Sequence, residues 1–282
     1  MTLRRRGLDW LLNGYAGLAL IYLLIPIAVI VVFSFNNPVG RFNFVWQEFS
    51  LDAWKHPFAV EGIGSALEKS LQIAALSTVG ATILGTLTAL ALVRYEFKGR
   101  APVNFFIFIP LATPEVVLGA ALLSQFLNWG TPQLGFATIL IAHIMFNLSF
   151  VVITVRSRLI GFDRSLEEAA QDLGATPWET FRLITLPLIM PGVLSAGLLA
   201  FALSIDDFVI TNFNSGSTIT FPLFIWGAAR IAIPPQVNVM AALIFVVTLV
   251  AMLLTVWQQR RAQRMAAVRP DEPELALEPA AA

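Results

Sequence analysis

Few residues in this sequence could do chemistry, and most of them sit inside or beside long apolar runs. Glu115 lies within the apolar run 103–127, His143 within 136–155, and Asp206 and Asp207 near the end of 188–210. Ionisable groups at membrane depth are costly and usually functional. Carboxylates at one mouth and midway are how a cation path is commonly lined. The faces of Trp129, Trp226, Phe208 and Phe213 would add cation–π contacts to alkylammonium groups. Structural roles compete with each of these. Asp206 and Asp207 would also end a helix at the interface, or one would pair with Arg230. Glu115, after Pro114, would also start a helix in a broken span, or bond His143. His143 reads first as an interhelical hydrogen-bonding residue, and Asn147 and Gln125 read the same way. Gly80, Gly85 and Gly119 read as close-packing positions.

Enzymatic chemistry has little support. Ser149 and His143 formally offer a nucleophile and a base, but neither a Gly-x-Ser-x-Gly nor a His-x-x-Glu-His-type arrangement occurs. The chain has no Cys, which excludes a thiol nucleophile, a disulfide framework and a Cys-ligated zinc. A phosphate-binding loop needs Gly-Lys-Ser/Thr. The three Lys residues follow Trp54, Glu68 and Phe97 instead. No catalytic or metal site is expected, and no cofactor is expected on this chain.

The elements that position these residues follow from composition. Of 282 residues, 57% are apolar and 13% charged, against about 45–50% and about 25% in soluble domains. Mean hydropathy is +0.76. A disordered chain is excluded, and an ordinary soluble enzyme does not fit. Formal net charge is zero, so no bulk attraction to nucleic acid is implied. The expectation is an integral membrane protein in the lipid bilayer.

A spanning helix needs about 20 mostly apolar residues. Six stretches qualify: 15–35, 71–93, 103–127, 136–155, 188–210 and 240–257. Pro26, Pro110 and Pro114 inside them are tolerated more readily than in soluble helices. The first stretch is longer than the apolar core of a cleaved signal, about 7–15 residues, and no small-residue cleavage site follows it, so it reads as a retained helix. The fold expected is all-α and polytopic, with six transmembrane helices.

Orientation follows the Lys/Arg bias of the connections. Fourteen basic residues fall on one side: Arg4, Arg5, Arg6, Arg94, Lys98, Arg100, Arg156, Arg158, Arg164, Arg182, Arg260, Arg261, Arg264 and Arg269. Four fall on the other: Arg41, Lys55, Lys69 and Arg230. Both termini are then cytoplasmic. The chain divides into a cytoplasmic N-terminus, 1–14, a transmembrane domain, 15–265, and an Ala/Pro/Glu-rich tail, 266–282, expected to be disordered. Counting acids as well, the cytoplasmic side carries +3, and the membrane and outer side −3. The +3 is common to such proteins; the −3 suits a cationic solute.

The connection 156–187 is the most organised polar stretch. Ser165-Leu166-Glu167-Glu168 and Thr176-Pro177-Trp178-Glu179 both fit a capping box, the second with Pro at the first helical position. Gly174 stands where a helix end favours a left-handed residue. The connection reads as helix, Gly turn, helix. Leu166, Ala169, Ala170 and Leu173 form one apolar face, which would pack on the chain's own helices, on headgroups or on a partner.

Here the residues carry a resemblance. Glu168-Ala169-Ala170, three residues, Gly174, nine residues, Ile184, then Leu186-Pro187 resembles the EAA loop of permease subunits of bacterial ABC importers, and every fixed position is matched. The resemblance implies the type I importer permease architecture. It also implies that Glu168, Ala169, Ala170, Gly174, Ile184, Leu186 and Pro187 form a coupling helix. That helix would dock in a groove of a cytoplasmic ATPase and transmit its closure. ATP and Mg would then be held by the ATPase dimer, not by this chain.

Ala142-His143-Ile144, the run from Ser204 through Asp206-Asp207-Phe208 to Phe213, and Phe221-Pro222-Leu223 with Ile225-Trp226 resemble the second permease subunit of spermidine/putrescine importers. Arg158-Leu159 and Asp172-Leu173-Gly174 fit the same branch. The resemblance implies a polyamine substrate passing Asp206, Asp207, Glu115, Trp226 and Phe208. It further implies a second, distinct permease chain, an extracytoplasmic solute-binding protein and the bacterial cytoplasmic (inner) membrane. Permeases for other small organic solutes share much of the pattern, and an autonomous ion-driven carrier is the competing class. The run 219–233, ended by Pro234-Pro235, is too short for a seventh span and fits a re-entrant or interfacial segment. The aromatics of 36–70 fit an interfacial belt or a docking surface, and 36–64 matches no motif.

Overall fold

The computed structural model describes residues 3–130, 132–161 and 163–268. The expected tail beyond 268, with Arg269, lies outside the described residues, as do the side chains of Arg4, Arg5, Arg6, Arg260, Arg261 and Arg264. The described residues are almost wholly helical. In chain order the helices are α1 (Leu3–Phe33), α2 (Asp52–Lys55), α3 (Ile63–Arg94), α4 (Arg100–Ala112), α5 (Glu115–Trp129) and α6 (Phe136–Ile160). After them come α7 (Ser165–Asp172), α8 (Pro177–Thr180), a π-helical turn (Phe181–Thr185), α9 (Leu186–Ile205), α10 (Val209–Asn214), α11 (Phe221–Ile231) and α12 (Pro235–Val268).

Among the described residues, four helical stretches are long and apolar enough to cross a membrane: Leu11–Phe33, Ile63–Arg94, Phe136–Ile160 and Pro177–Ile205. The expected third span is broken. Pro114 disfavours helical backbone at Thr113, which is extended at φ −85°, ψ 131°. α4 therefore stops, and α5 leaves at 114° to it. Taken together they make a fifth candidate. The expected sixth span lies on α12, whose apolar part among the described residues, Pro235–Val250, falls short of span length. α11 is also too short, as the sequence indicates. The expected straight fifth span is interrupted as well: α9 ends at Ile205, Asp206 caps it, and α10 starts at Val209.

The chain divides into two compact units, Met1–Val60 with Ala232–Ala282, and Glu61–Ile231. In the first, α1 packs on α12. The loop after α1 is knotted around Asn36. Its Nδ2 donates to Asn43 Oδ1 (2.6 Å) and Val45 O (2.9 Å), and its Oδ1 accepts from Gln47 N (2.7 Å). Phe35 stacks between Phe49 and Trp54. The segment that matches no motif is thus an ordered structure built on buried amides.

In the second unit α3, α6 and α9 pack on one another. Ala81, Ala89, Val151, Val152, Val155, Ile189, Ala196 and Ala200 form the core between them. Small residues on α3 let backbones approach closely. A methyl group added at Gly85 would lie 2.6 Å from Val151 Cγ1, and one at Gly80 3.0 Å from Ile144 Cδ1. α5 packs on α10, where a methyl at Gly119 would meet Phe213 at 2.8 Å. These are the close-packing glycines expected.

Candidate functional site

The break between α9 and α10 brings Asp207 onto His143 of α6. His143 Nε2 lies 3.2 Å from Asp207 Oδ2 and 2.9 Å from Thr211 Oγ1, while Nδ1 lies 2.7 Å from Ser204 Oγ. Ser77 Oγ on α3 lies 2.9 Å from Ser204 Oγ. These contacts fit one direction of donation. Ser77 donates to Ser204, Ser204 donates to Nδ1, and the ring proton on Nε2 points to Asp207. Asp207 Oδ2 also accepts from Thr211 N and Thr211 Oγ1, each at 2.8 Å, and Oδ1 from Ile210 N at 3.3 Å. Asp207 therefore satisfies the first free amides of α10, as a capping carboxylate does. His143, Ser77, Ser204 and Thr211 are all buried.

This network settles the structural alternatives. His143 is an interhelical hydrogen-bonding residue, as read first. Asp207 pairs with His143 and not with Arg230. Glu115 does not bond His143; it is exposed in the first turn of α5, where a carboxylate suits the positive end of the helix. Asn147 lies one turn from His143 on α6 and is fully buried, yet neither amide atom is hydrogen-bonded. The interhelical bond expected of it is not made.

Asp206 is exposed next to this network. Phe208 and Trp226 form a ring pair with centroids 5.0 Å apart, and the Arg230 guanidinium lies 4.7 Å above the Trp226 ring. Of the expected path residues, Phe208 and Trp226 are brought together, Asp206 is two positions before Phe208 in the chain, Asp207 is turned inward, and Glu115 stands on another helix.

The polar connection after α6 is helix, Gly turn, helix, as expected. Gly174 has φ +89°, which a β-carbon disfavours. The box at Thr176 forms: Glu179 Oε2 accepts from Thr176 N at 2.8 Å, and Glu179 N donates to Thr176 Oγ1 at 3.3 Å. The box expected at Ser165 does not. Asp163 Oδ1 accepts from Ser165 N at 3.0 Å, and bonds from Ser165 hold the Asp163 carboxyl below the ordinary value, the backbone N–H contributing most. Glu167 turns inward, accepting from Arg94 Nη2 of α3 and from Thr185 Oγ1.

That inward turn splits the expected apolar face. Glu167 and Ala170 are buried, while Leu166, Ala169 and Leu173 are exposed. Glu168, Gly174 and Pro187 are also exposed, and Ile184 and Leu186 are partly covered. Leu173 is 90%, Leu183 69% and Trp178 66% exposed. Such apolar surface on a capped polar connection marks an interaction surface, for a protein or for headgroups.

The residues that sequence reasoning missed are Ser77, Ser204, Thr211, Arg94, Glu167 and Thr185. One signal was available. Ser204, Asp207 and Thr211 recur at i, i+3 and i+7, one face of a helix.

The family model described as binding-protein-dependent transport system inner membrane component matches residues 81–266. The chain belongs to this family. With its apolar helices, it is a multi-pass membrane component of such a transport system. The chain is 39% identical over 242 residues to the spermidine/putrescine transport system permease protein PotC of Escherichia coli K12, covering 86% of this chain and 90% of that protein. It is 39% identical over 231 residues to the putrescine transport system permease protein PotI of the same organism, covering 79% and 81%. Among solved structures, a chain of a bacterial ABC transporter that imports the acidic polysaccharide alginate matches with TM-score 0.66 at 16% identity, over 92% of this chain and 98% of that one. A chain of the MetNI methionine ABC transporter matches with TM-score 0.57 at 14% identity, over 71% and 95%. These two show that the inner membrane component has the ABC importer permease fold.

Proposed function

We propose that this chain is one permease subunit of an ATP-driven importer for a small polyamine of the spermidine/putrescine kind. It crosses the bacterial inner membrane six times with both termini in the cytoplasm: α1, α3, the bent α4–α5 pair, α6, α9 and α12. The unit of transport is the transmembrane domain 15–265, with 156–187 as its coupling loop. A second, distinct permease chain completes the path. A solute-binding protein delivers the substrate from outside, and a separate ATPase dimer holds ATP and Mg.

The observation that carries the coupling role is the exposure of Leu173, Leu183 and Trp178 beside Glu168 on the capped connection. Exposed large apolar side chains beside a cytoplasmic connection suit an interaction surface, and Glu168 would offer a partner's basic groups a carboxylate. ATP closes the ATPase dimer, the dimer moves α7 and α8, and α9 moves with them. The path then opens to alternate sides. The polyamine assignment is supported by the named relatives and by the exposed Asp206, two positions before the Phe208 of an aromatic pair that already holds a guanidinium. A cationic alkylamine meets a carboxylate and aromatic faces there.

The test is reconstitution of the whole importer in proteoliposomes with radiolabelled putrescine and spermidine. The wild type takes up at least one of them with ATP. Glu168→Lys hydrolyses ATP while uptake per ATP falls. Uptake driven by an ion gradient without ATPase would instead support a carrier. ATP-driven uptake of a different small organic solute, with neither polyamine accepted, would replace the substrate.

A further inference from the structure

Glu167 precedes the Glu168-Ala169-Ala170 motif and is not part of it. It faces away from the exposed side of α7. One of its oxygens, Oε1, accepts from Arg94 Nη2 in the last turn of α3 and from Thr185 Oγ1, the last residue of the π-helical turn before α9. Arg94 Nη2 also lies 3.4 Å from Thr185 Oγ1, so the three side chains close on one another. Glu167 is 9% exposed and Thr185 fully buried. A charge-assisted contact in such surroundings is stronger than one in water. Removing one partner leaves the other charge half-buried and uncompensated.

The topology gives this cluster a mechanical meaning. α7 has eight residues. It is joined to α6 by residues 161–164 and to α8 through Gly174, whose surroundings are open. The side-chain cluster adds what the chain path lacks: a direct tie from α7 to the end of α3 and the start of α9, two of the three helices that pack as the core. Arg164 Nη2 donates to Val93 O at 3.1 Å, a second tie at the same helix end. A π-helical turn is a rare irregularity, often found at functional positions. Here it sets Thr185 against Glu167.

We propose that Glu167, with Arg94 and Thr185, is the positioning group through which the coupling helix moves α3 and α9 as one body. The proposal rests on the coupling function assigned above. A push received on the outer face of α7, at Glu168 and Leu173, is delivered on its inner face by Glu167. Without Glu167 the short helix yields about Gly174, and the ATPase turns over without moving the path.

The test uses the complete importer in proteoliposomes and reads uptake of radiolabelled putrescine and spermidine per ATP hydrolysed. Glu167→Gln and Arg94→Gln are expected to keep hydrolysing ATP while uptake per ATP falls about fivefold or more, the lower end of coupling effects between sites. Thr185→Ala, which keeps the ion pair, is expected to fall less. Exchange of the charges, Arg94→Glu with Glu167→Arg, is expected to recover at least half of the ratio lost. A wild-type ratio in Glu167→Gln overturns the proposal. So does a lower amount of assembled importer with an unchanged ratio, because that is a purely structural role. Failure of the charge exchange to recover the ratio overturns it too. Glu168→Lys is measured in parallel. If Glu168→Lys leaves the ratio unchanged, the coupling function itself fails. If Glu168→Lys uncouples and Glu167→Gln does not, the coupling function stands and only the role of Glu167 falls.

Discussion

Asp206 and Asp207 share one chemistry, and their surroundings predict opposite outcomes for the same substitution. In Asp207→Ala the acceptor for four contacts disappears: Thr211 N and Oγ1 at 2.8 Å, His143 Nε2 at 3.2 Å and Ile210 N at 3.3 Å. His143 keeps a partner, because Thr211 Oγ1 is 2.9 Å from Nε2. The Thr211 hydroxyl re-aims to receive it. The amides of Ile210 and Thr211 have no such recourse, since both residues are fully buried. Each orphaned donor costs about 1–3 kcal/mol, which makes the variant about 2–6 kcal/mol less stable. Taking about 3 kcal/mol, the melting temperature falls by about 6–12 °C. Asp206→Ala removes an exposed carboxylate, and such changes usually stay within about 0.5 kcal/mol. The assay is thermal denaturation of the purified chain in nanodiscs, followed by the fluorescence of its seven Trp, with ATP-driven polyamine uptake measured separately on the whole importer in proteoliposomes. Asp206→Ala is expected to melt with the wild type and take up less. A melting temperature for Asp207→Ala within about 1 °C of wild type would refute the reasoning, as would a large drop in Asp206→Ala.

Two further substitutions test the packing and the turn. Gly85→Val places atoms 2.6 Å and 2.8 Å from Val151 Cγ1 and Cβ. It is expected to cost about 1–3 kcal/mol by overpacking, and Val151→Ala in the same chain should recover part of it; an unshifted melt would mean α3 and α6 are not this close. Gly174→Ala meets no atom within 4 Å, so its cost is confined to the backbone, about 1–2 kcal/mol for a left-handed residue. Uptake per ATP is expected to fall with assembly intact, and an unchanged ratio would show that the turn angle does not matter.

Much of the architecture was legible because it depends on local chemistry. The capping box at Thr176, the left-handed Gly174 and the end of the 219–233 run before Pro235 each follow from a few adjacent residues. The break at Thr113 was legible, since Pro114 restricts the residue before it, and a helix start at Glu115 in a broken span was one of the readings of that stretch. The Ser165 box shows the opposite limit. Its spacing is right, yet Asp163 takes the amide of Ser165 that Glu168 would have received, and Glu168 N bonds Arg164 O instead of the Ser165 hydroxyl.

The sequence by itself determined the class of protein, the apolar helices, the coupling motif and the family, because hydropathy, helix signals and motif spacing are all written within a few tens of residues. Only the tertiary structure decided which polar groups meet. His143 and Asp207 are 64 positions apart, and Arg94 and Glu167 are 73 apart. Nothing in either local pattern selects the partner. The choice is made by which faces α3, α6 and α9 turn toward one another, and small side chains such as Gly85 and Ala196 set that by how closely they let the backbones approach. Two adjacent aspartates then part company: one is buried as a helix cap against His143, and the other is left exposed.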